Sequence, residues 1–321
     1  MSSIIKNRIQ STSLVEHMLI NNNPPDPEEF HLTYRDFTKL FWKFKGLQKE
    51  ITRNNAFWAA TNENFKIAYE KLDEQEKELA IIYSRLQEDL QVASQIQQSM
   101  LPKVYKKMEQ ELDIAIYHKQ FNQVGGDYYD FFQTKSGDYA IGIFDIAGHG
   151  ISAALIMTYL KAQLMGAIEK HNSPKSIIEN VNNLSLAFLR NIKKYATVNF
   201  VLFKKYKISY VNGGGNGLLI QKENNIDFIK KDNFLGLRNK AFHEYDLDFF
   251  MNDLLIMYTD GFSESQDKTG NDYTKKRLHQ LIFKNKNKPV NEILEICVSD
   301  LDNNCYLPHD DITLIILRKK E

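Results

Sequence analysis

The stretch Ile143-Phe-Asp-Ile-Ala-Gly-His-Gly150 is the most informative of the sequence, because it predicts a buried strand that ends in an aspartate and a tight glycine turn. A helix is predicted to follow, with Ser152 as its N-cap. Three other stretches also place an aspartate where an apolar segment meets a turn: Val124-Gly-Gly-Asp-Tyr-Tyr-Asp130, Ile256-Met-Tyr-Thr-Asp-Gly261 and His309-Asp-Asp-Ile-Thr313. They are far apart in the chain, so they meet only in a fold that gathers strand ends.

The grouping of these aspartates predicts a metal site. Carboxylates gathered at strand ends repel one another and lose hydration, which raises their pKa unless a cation neutralises them. Hard divalent ions such as Mg²⁺ and Mn²⁺ prefer oxygen-only ligands. The pattern therefore indicates a metal-dependent enzyme of phosphate chemistry. His149 and His309 flank the acids, and we interpret each as a loop residue rather than a metal ligand.

Composition excludes several classes of function. The 321 residues are 43% hydrophobic, and 41 basic residues balance 41 acidic ones, so no basic field predicts nucleic-acid binding. No apolar run approaches the roughly 20 residues of a membrane span, and the start lacks a signal-peptide core, so we expect no membrane insertion and a cytoplasmic location. Cys297 and Cys305 have neither redox-pair spacing nor an arginine six positions later, which argues against thiolate chemistry.

The first hundred residues divide into a tail and a helical segment. Residues 1–30 contain three prolines near their end and predict a loose tail. Residues 31–102 predict a helical segment for regulation or dimerisation, with an apolar heptad seam. The seam contains Phe65, Leu72, Leu79, Leu86, Ala93 and Met100. Two interpretations stay open: a coiled coil that forms a homodimer, or one amphipathic helix that packs within its own chain.

Residues 103–321 predict a layered α+β domain. Two adjacent helices, at about 152–169 and 174–191, lie among many short strands, and two more helices follow at about 274–283 and 290–303. The predicted strands are Asp113–His118, Tyr128–Gln133, Tyr139–Ile146, Thr197–Lys204, Lys207–Val211, Gly217–Gln221, Ile226–Ile229, Leu254–Thr259 and Asp311–Leu317.

The glycine-rich run Asn212-Gly-Gly-Gly-Asn-Gly217 has the appearance of a phosphate-binding loop. Such a loop requires a Lys-Ser/Thr pair after its glycines and then a helix. Here the strand-like Leu218-Leu-Ile220 follows instead. We therefore interpret the run as a tight connection between strands near the site.

The order of the motifs resembles the metal-dependent PPM-type serine/threonine phosphatases, specifically their bacterial SpoIIE/RsbU-like branch. The motifs are Gly-Gly-Asp-Tyr-Tyr-Asp-Phe-Phe, Asp-x-x-Gly-His-Gly-x-x-Ala-Ala, Tyr-Thr-Asp-Gly and Asp-Asp-x-Thr-Leu. The segment Ala93-Ser-Gln-Ile-Gln-Gln-Ser-Met-Leu-Pro102 is similar to the end of that branch's linker helix. The resemblance spans about residues 90–318 and implies a four-layer α-β-β-α sandwich with a dimetal site at one edge of its sheets.

The resemblance also implies a role for each acid. Asp127 corresponds to the early ligand beside the second metal, and Asp145 to the carboxylate that bridges both metals. Ile146 corresponds to the position that binds metal through its backbone carbonyl. Asp260 and Asp310 correspond to the later acids that hold the first metal.

Activity and partners follow from the same resemblance. It implies two divalent cations, Mn²⁺ or Mg²⁺, and in-line attack by a bridging water, so that no Cys, Ser or His nucleophile is needed. The expected substrate is phosphoserine or phosphothreonine on a regulatory protein of the anti-anti-sigma (STAS) type. Asp311 is expected to orient its loop. The chain departs from the branch at Ala147, at Asn212–Gly217 and at Phe234, but the metal acids are intact.

Two other functions compete with an active phosphatase. One is an inactive PPM-like domain that serves as a scaffold in partner switching, and the other is a coiled-coil adaptor whose globular domain is incidental. Loss of any of the four aspartates would favour the scaffold, and none is lost. We therefore expect an active enzyme, which an assay with and without Mn²⁺ separates from both alternatives.

Overall fold

A long helix precedes a mixed domain in the computed structural model, which describes residues 34–102, 104–221, 225–228, 231–305 and 310–320. The predicted tail (1–30) and His309 lie outside the described residues. Helix α1 spans Tyr34–Ser99, as the helical pattern predicts.

The mixed domain alternates short strands with helices. Its described elements are α2 (Lys106–Glu111), β1 (Leu112–Lys119), β2 (Tyr128–Gln133), β3 (Tyr139–Ile146), α3 (Ile151–Ile168), α4 (Pro174–Asn191), β4 (Ala196–Phe203), β5 (Lys207–Gly213), β6 (Asn216–Gln221), β7 (Asn225–Phe228), β8 (Tyr245–Asp248), β9 (Leu254–Tyr258), α5 (Asp260–Glu264), α6 (Lys275–Lys284), α7 (Val290–Asn304) and β10 (Ile312–Lys319).

The strands form two five-stranded antiparallel sheets. The first sheet has the order β1-β10-β9-β6-β7, and the second has the order β2-β3-β4-β5-β8. The chain passes from the second sheet to the first between β5 and β6, through Gly214 and Gly215. The glycine-rich run is therefore the predicted tight connection between strands, and it joins two sheets rather than two neighbours in one sheet.

Three apolar layers hold the sandwich together. The middle layer lies between the sheets and contains Ile141 and Ile143 of β3 with Leu255 and Met257 of β9. A second layer joins the β2–β5 sheet to α3 and α4, and a third joins the first sheet to α6 and α7. The fold is therefore the predicted α+β four-layer α-β-β-α sandwich.

Strand β3 shows why the apolar runs were readable as strands. Alternate residues of a strand point to opposite faces. Ile141 and Ile143 face the other sheet, whereas Ala140, Phe144 and Ile146 face the helical layer. Because both faces are covered, the strand is apolar along nearly its whole length.

Helix α3 differs from its prediction in two respects. It begins at Ile151 after Gly150, whose φ of 76° suits glycine, so Ser152 is not the N-cap and lies inside the first turn. By length and composition alone its 18 residues also meet the criteria for a membrane span, contrary to the expectation that no apolar run comes close. Its apolar character has a structural reason, because residues such as Ile156, Leu160 and Leu164 pack in the core with the second sheet and α4.

Strand β8 and helix α5 were not predicted. Strand β8 has the sequence Tyr245-Asp-Leu-Asp248 and pairs at the sheet edge with β5, where every second residue is exposed and charged. Helix α5 is a single short turn that starts at Asp260, directly after β9. Neither has a pattern long enough to be distinguished from a loop.

The seam of α1 is exposed in the structure. Phe65, Leu72 and Leu79 are 61%, 59% and 66% exposed. The chain divides into two compact units inside this helix, one ending at Tyr83 and the other beginning at Ser84. The predicted boundary at residue 102 and the predicted homodimer both stay predictions.

We expect the exposed seam to pair with a second copy of the chain. Replacing Leu72→Glu and Leu79→Glu together would place charges in a coiled-coil seam, so the full chain should change from dimer to monomer in multi-angle light scattering. Ile81→Glu is the matched control, because Ile81 is also exposed but lies off the seam. An unchanged mass in the seam variant would refute pairing through these residues.

Candidate metal centre

The four predicted acids come from different elements and converge at one edge of the two sheets. Asp127 precedes β2, Asp145 lies one residue before the end of β3, Asp260 follows β9, and Asp310 precedes β10. Asp145 hydrogen-bonds to Asp260 and interacts electrostatically with Asp310, and Asp127 interacts electrostatically with Asp145. The tertiary structure thus brings together acids that the sequence scatters.

Asp127 is buried between the two sheets and is only 3% exposed. Its Oδ2 accepts hydrogen bonds from Thr259 Oγ1 at 2.7 Å and from Thr313 Oγ1 at 2.6 Å. Burial raises the pKa of Asp127 well above its usual range, and the negative charge of Asp145 raises it further, while the two hydroxyl donors oppose the shift. A neighbouring cation would therefore stabilise the ionised form.

Asp145 lies at the centre of the acid cluster. Burial raises its pKa to about 8, with further contributions from the charges of Asp260 and Asp310. The side-chain interaction with Asp260 adds to this rise in the pKa of Asp145, because two neighbouring carboxyl groups repel less when one of them carries a proton. A divalent cation in this position would replace that proton and remove the repulsion between the acids.

The donor set fits a hard divalent cation, because the clustered side chains offer only oxygen ligands. Among the described residues, no three acidic, histidine or cysteine side chains already form a complete cage around one point. The electrostatic interactions nevertheless show that the carboxylates are close enough to repel one another. Mutually repelling carboxylates spread apart when no cation is bound, and a bound cation would draw them together.

Ile146, the predicted backbone ligand, lies beside the loop that carries Asp127. A Cβ atom added to Gly126 would lie 3.1 Å from the carbonyl oxygen of Ile146 and 3.1 Å from that of Gly148. The glycine therefore permits the two backbone segments to approach closely. The Ile146 carbonyl consequently lies next to the acid cluster, where the resemblance predicts it.

Asp311 fixes the loop that precedes Asp127. Its carboxylate accepts hydrogen bonds from the backbone N–H groups of Phe121 at 2.8 Å, Gly126 at 2.5 Å and Asp127 at 3.3 Å. A Cβ atom at Gly125 would overlap this carboxylate. Gly125 is therefore required for packing.

Gln97, near the end of α1, is a supporting residue that sequence reasoning missed. It is 5% exposed, donates from Nε2 to the Gly125 carbonyl at 2.8 Å, and accepts from the Gly125 N–H at 3.1 Å. Gln120 donates to the same Gln97 side chain at 2.8 Å. The only signal in the sequence was the position of Gln97 in the Gln-x-x-Met-Leu-Pro ending of the helix.

The histidine beside the site makes a loop contact. His149 Nδ1 lies 3.3 Å from Asn122 Nδ2, and its ring packs edge-on against Phe121. His149 also lies close enough to Asp310 to oppose the rise that burial causes in the pKa of that acid. These contacts agree with the interpretation of His149 as a loop residue.

A cavity of about 440 Å³ opens beside the acids. Its lining includes Asp260, Asp310, Glu264 and Asp272, so its charge is strongly negative. Burial raises the pKa of Glu264, and the charge of Asp260 adds to the rise. This cavity gives a ligand access to the edge of the acid cluster.

Comparison with known proteins agrees with the fold and identifies the family. The family model for Stage II sporulation protein E (SpoIIE) matches residues 135–320, more than half of the chain. Phosphoserine phosphatase RsbU of Bacillus subtilis (strain 168) is 24% identical over 317 residues, which cover 97% of this chain and 90% of RsbU. The fold and the match together define a phosphatase domain of the PPM type.

Two solved structures share this fold. The SiaA-PP2C domain of Pseudomonas aeruginosa aligns with a TM-score of 0.66 and 21% identity over 74% of this chain and 98% of that domain. The catalytic domain of the serine threonine protein phosphatase PstP, solved in complex with 2 manganese ions, aligns with a TM-score of 0.50 and 11% identity over 66% of this chain and 99% of that domain. The chain belongs to the SpoIIE family, so the predicted SpoIIE/RsbU-like branch is confirmed.

The glycine contact with Asp311 leads to a testable prediction. Gly125→Ala should force the Asp311 carboxylate or the loop to move, which displaces Asp127 and lowers phosphatase activity by about tenfold to a hundredfold. Steady-state hydrolysis of a phosphopeptide in Mn²⁺ measures the change. Gly166→Ala is the matched control, since a Cβ at that helical glycine meets no atom within 4 Å. Equal activity in both variants would contradict the proposed packing requirement.

Proposed function

We propose that the chain is a metal-dependent phosphatase that hydrolyses phosphoserine and phosphothreonine in a regulatory protein. One observation carries the proposal: Asp127, Asp145, Asp260 and Asp310 reach one edge of the sandwich from both sheets, where burial and the charges of Asp260 and Asp310 raise the pKa of Asp145. The family supports the reaction class, and the RsbU relative is named a phosphoserine phosphatase.

The acids have distinct roles in this proposal. Asp145 would hold both divalent cations, Asp127 and the Ile146 carbonyl would hold one of them, and Asp260 and Asp310 would hold the other. The cations, Mn²⁺ or Mg²⁺, would activate the attacking water and offset charge on the phosphoryl oxygens. The manganese ions of PstP support this choice of metal.

Residues around the acids keep them in position. Thr259 and Thr313 hold one oxygen of Asp127, which leaves its other oxygen for a cation. Asp311 and Gln97 fix the loop before Asp127 through its backbone. The protein therefore contributes mainly preorganisation, which lowers the barrier by removing rearrangement during the reaction.

The substrate and setting belong to the same proposal. We place the protein in the cytoplasm, where it would dephosphorylate a STAS-type anti-anti-sigma protein in partner switching. The relationship to RsbU supports this assignment. The segment 31–102 would form the homodimer or receive a signal, and 103–321 would form the phosphatase domain.

Asp145→Asn should abolish turnover while the fold persists. The substitution removes the negative charge that would hold both cations, so the rate should fall below roughly a tenth of wild type, a barrier increase of at least about 1.4 kcal/mol. Phosphopeptide hydrolysis measures the rate, and circular dichroism checks the fold. Asp302→Asn, at an exposed position of α7, should leave both unchanged. A folded Asp145→Asn protein with more than a tenth of the rate would remove Asp145 from this role.

Removal of metal should switch activity off reversibly. Oxygen-only sites hold Mg²⁺ and Mn²⁺ modestly, so chelation with EDTA should strip them, and excess Mn²⁺ should restore hydrolysis. Elemental analysis verifies the metal-free state. Hydrolysis that persists in verified metal-free protein would refute the dimetal mechanism, and absence of hydrolysis with Mn²⁺ on phosphoprotein substrates would favour the inactive scaffold.

A further inference from the structure

Two lysines converge on one amide oxygen beside the acid cluster. Lys231 and Lys275 each donate from Nζ to Asn216 Oδ1 at 2.7 Å. The two ammonium nitrogens therefore lie within two hydrogen-bond lengths of each other. Neither lysine belongs to the motifs that predicted the metal centre.

The fold places this pair next to Asp260. Asn216 is the first residue of β6 and pairs with Tyr258, the last residue of β9, two positions before Asp260. Lys275 begins α6, and the preceding Thr274 N–H donates to the carbonyl of Ser263 in α5 at 2.9 Å. Because α5 itself starts at Asp260, both lysines are anchored to the segment that carries this acid.

The pair is more than a structural partner for Asn216. The Asn216 residue is 7% exposed, and one lysine would suffice to satisfy its buried amide oxygen. The second ammonium group adds repulsion between like charges. Burial lowers the pKa of Lys231, the charge of Lys275 lowers it further, and Asp260 opposes the shift. An anion between the two lysines would relieve this repulsion.

Hydrogen-bond donors remain for such an anion. An ammonium group has three N–H donors. Lys231 uses two, to Asn216 and to the carbonyl of Gly214 at 3.2 Å, and Lys275 uses one in the described part of the chain. The neighbouring cavity is lined by acids that would repel a phosphate dianion, and its described lining includes no basic side chain, so the lysine pair would add positive charge beside it.

We propose that Lys231 and Lys275 bind the phosphoryl oxygens of the substrate, and the inorganic phosphate product, beside the metal centre. Asn216 is a positioning residue that holds the two ammonium groups together. This inference rests on the proposed phosphatase function. It assigns recognition of the phosphoryl group to residues of this chain as well as to the cations.

The test uses the full chain with Mg²⁺ and a double variant, Lys231→Met with Lys275→Met. The inhibition constant of inorganic phosphate and the KM for p-nitrophenyl phosphate should each rise about tenfold, because two charged donors are lost. Stabilisation of the protein by inorganic phosphate in thermal unfolding should also be lost. Lys276→Met is the matched control, since Lys276 is the exposed next residue of α6, and it should behave as wild type. If the double variant does not fold, the single variants Lys231→Gln and Lys275→Gln replace it.

The results of this experiment test phosphate binding by the two lysines independently of the phosphatase function. Unchanged inhibition, KM and stabilisation by phosphate would overturn it while hydrolysis by the wild type still stands. A rise in KM for a phosphoprotein alone would also overturn it, because the lysines would then contact the protein part of the substrate. If the wild type hydrolyses nothing, the phosphatase function fails, and loss of phosphate stabilisation only in the lysine variants would still support the binding pair.

Discussion

The buried carboxylate of Asp127 is the constraint on which the site and the sandwich both depend. It directly precedes β2 of the second sheet, yet it accepts hydrogen bonds from Thr259, which follows β9, and from Thr313 of β10 in the first sheet. Burying a carboxylate is costly unless it is hydrogen-bonded and its charge is compensated. The same interaction therefore fixes the sheets relative to each other and leaves an ionisable oxygen for a cation.

The loop before Asp127 shows how backbone groups stabilise this arrangement. Asp311 accepts three backbone N–H groups of the loop region, and Gln97 binds both polar backbone groups of Gly125. Hydrogen bonds to a charged acceptor contribute roughly 1.5–3 kcal/mol each, so Asp311 is a strong anchor. Because Gln97 belongs to α1, the end of that helix is joined by hydrogen bonds to the segment that carries Asp127.

Charges of both signs meet at this edge of the fold for different reasons. Burial and the charges of Asp260 and Asp310 raise the pKa of Asp145, which favours a cation there, whereas burial and the charge of Lys275 lower the pKa of Lys231, which favours an anion beside the two lysines. A phosphoryl group bound to divalent cations satisfies both preferences at once. The arrangement thus has the electrostatic requirements of phosphoryl transfer, in which positioning and charge stabilisation provide most of the catalysis.

The amino-acid sequence alone was enough to predict the layered class, most strand positions and the four aspartates that the fold brings to one edge, whereas their role as metal ligands stays a prediction. Strands β2 and β3 were predicted to the residue, because apolar and aromatic residues predominate in both and turn residues bound them. Three features are visible only in the folded chain: the edge strand β8, the hydrogen bonds of Gln97 to Gly125, and the convergence of Lys231 and Lys275 on Asn216. Strand β8 is too short to show a pattern in the sequence. The polar contacts join segments that are distant in the chain, so they have no periodicity from which they could be predicted.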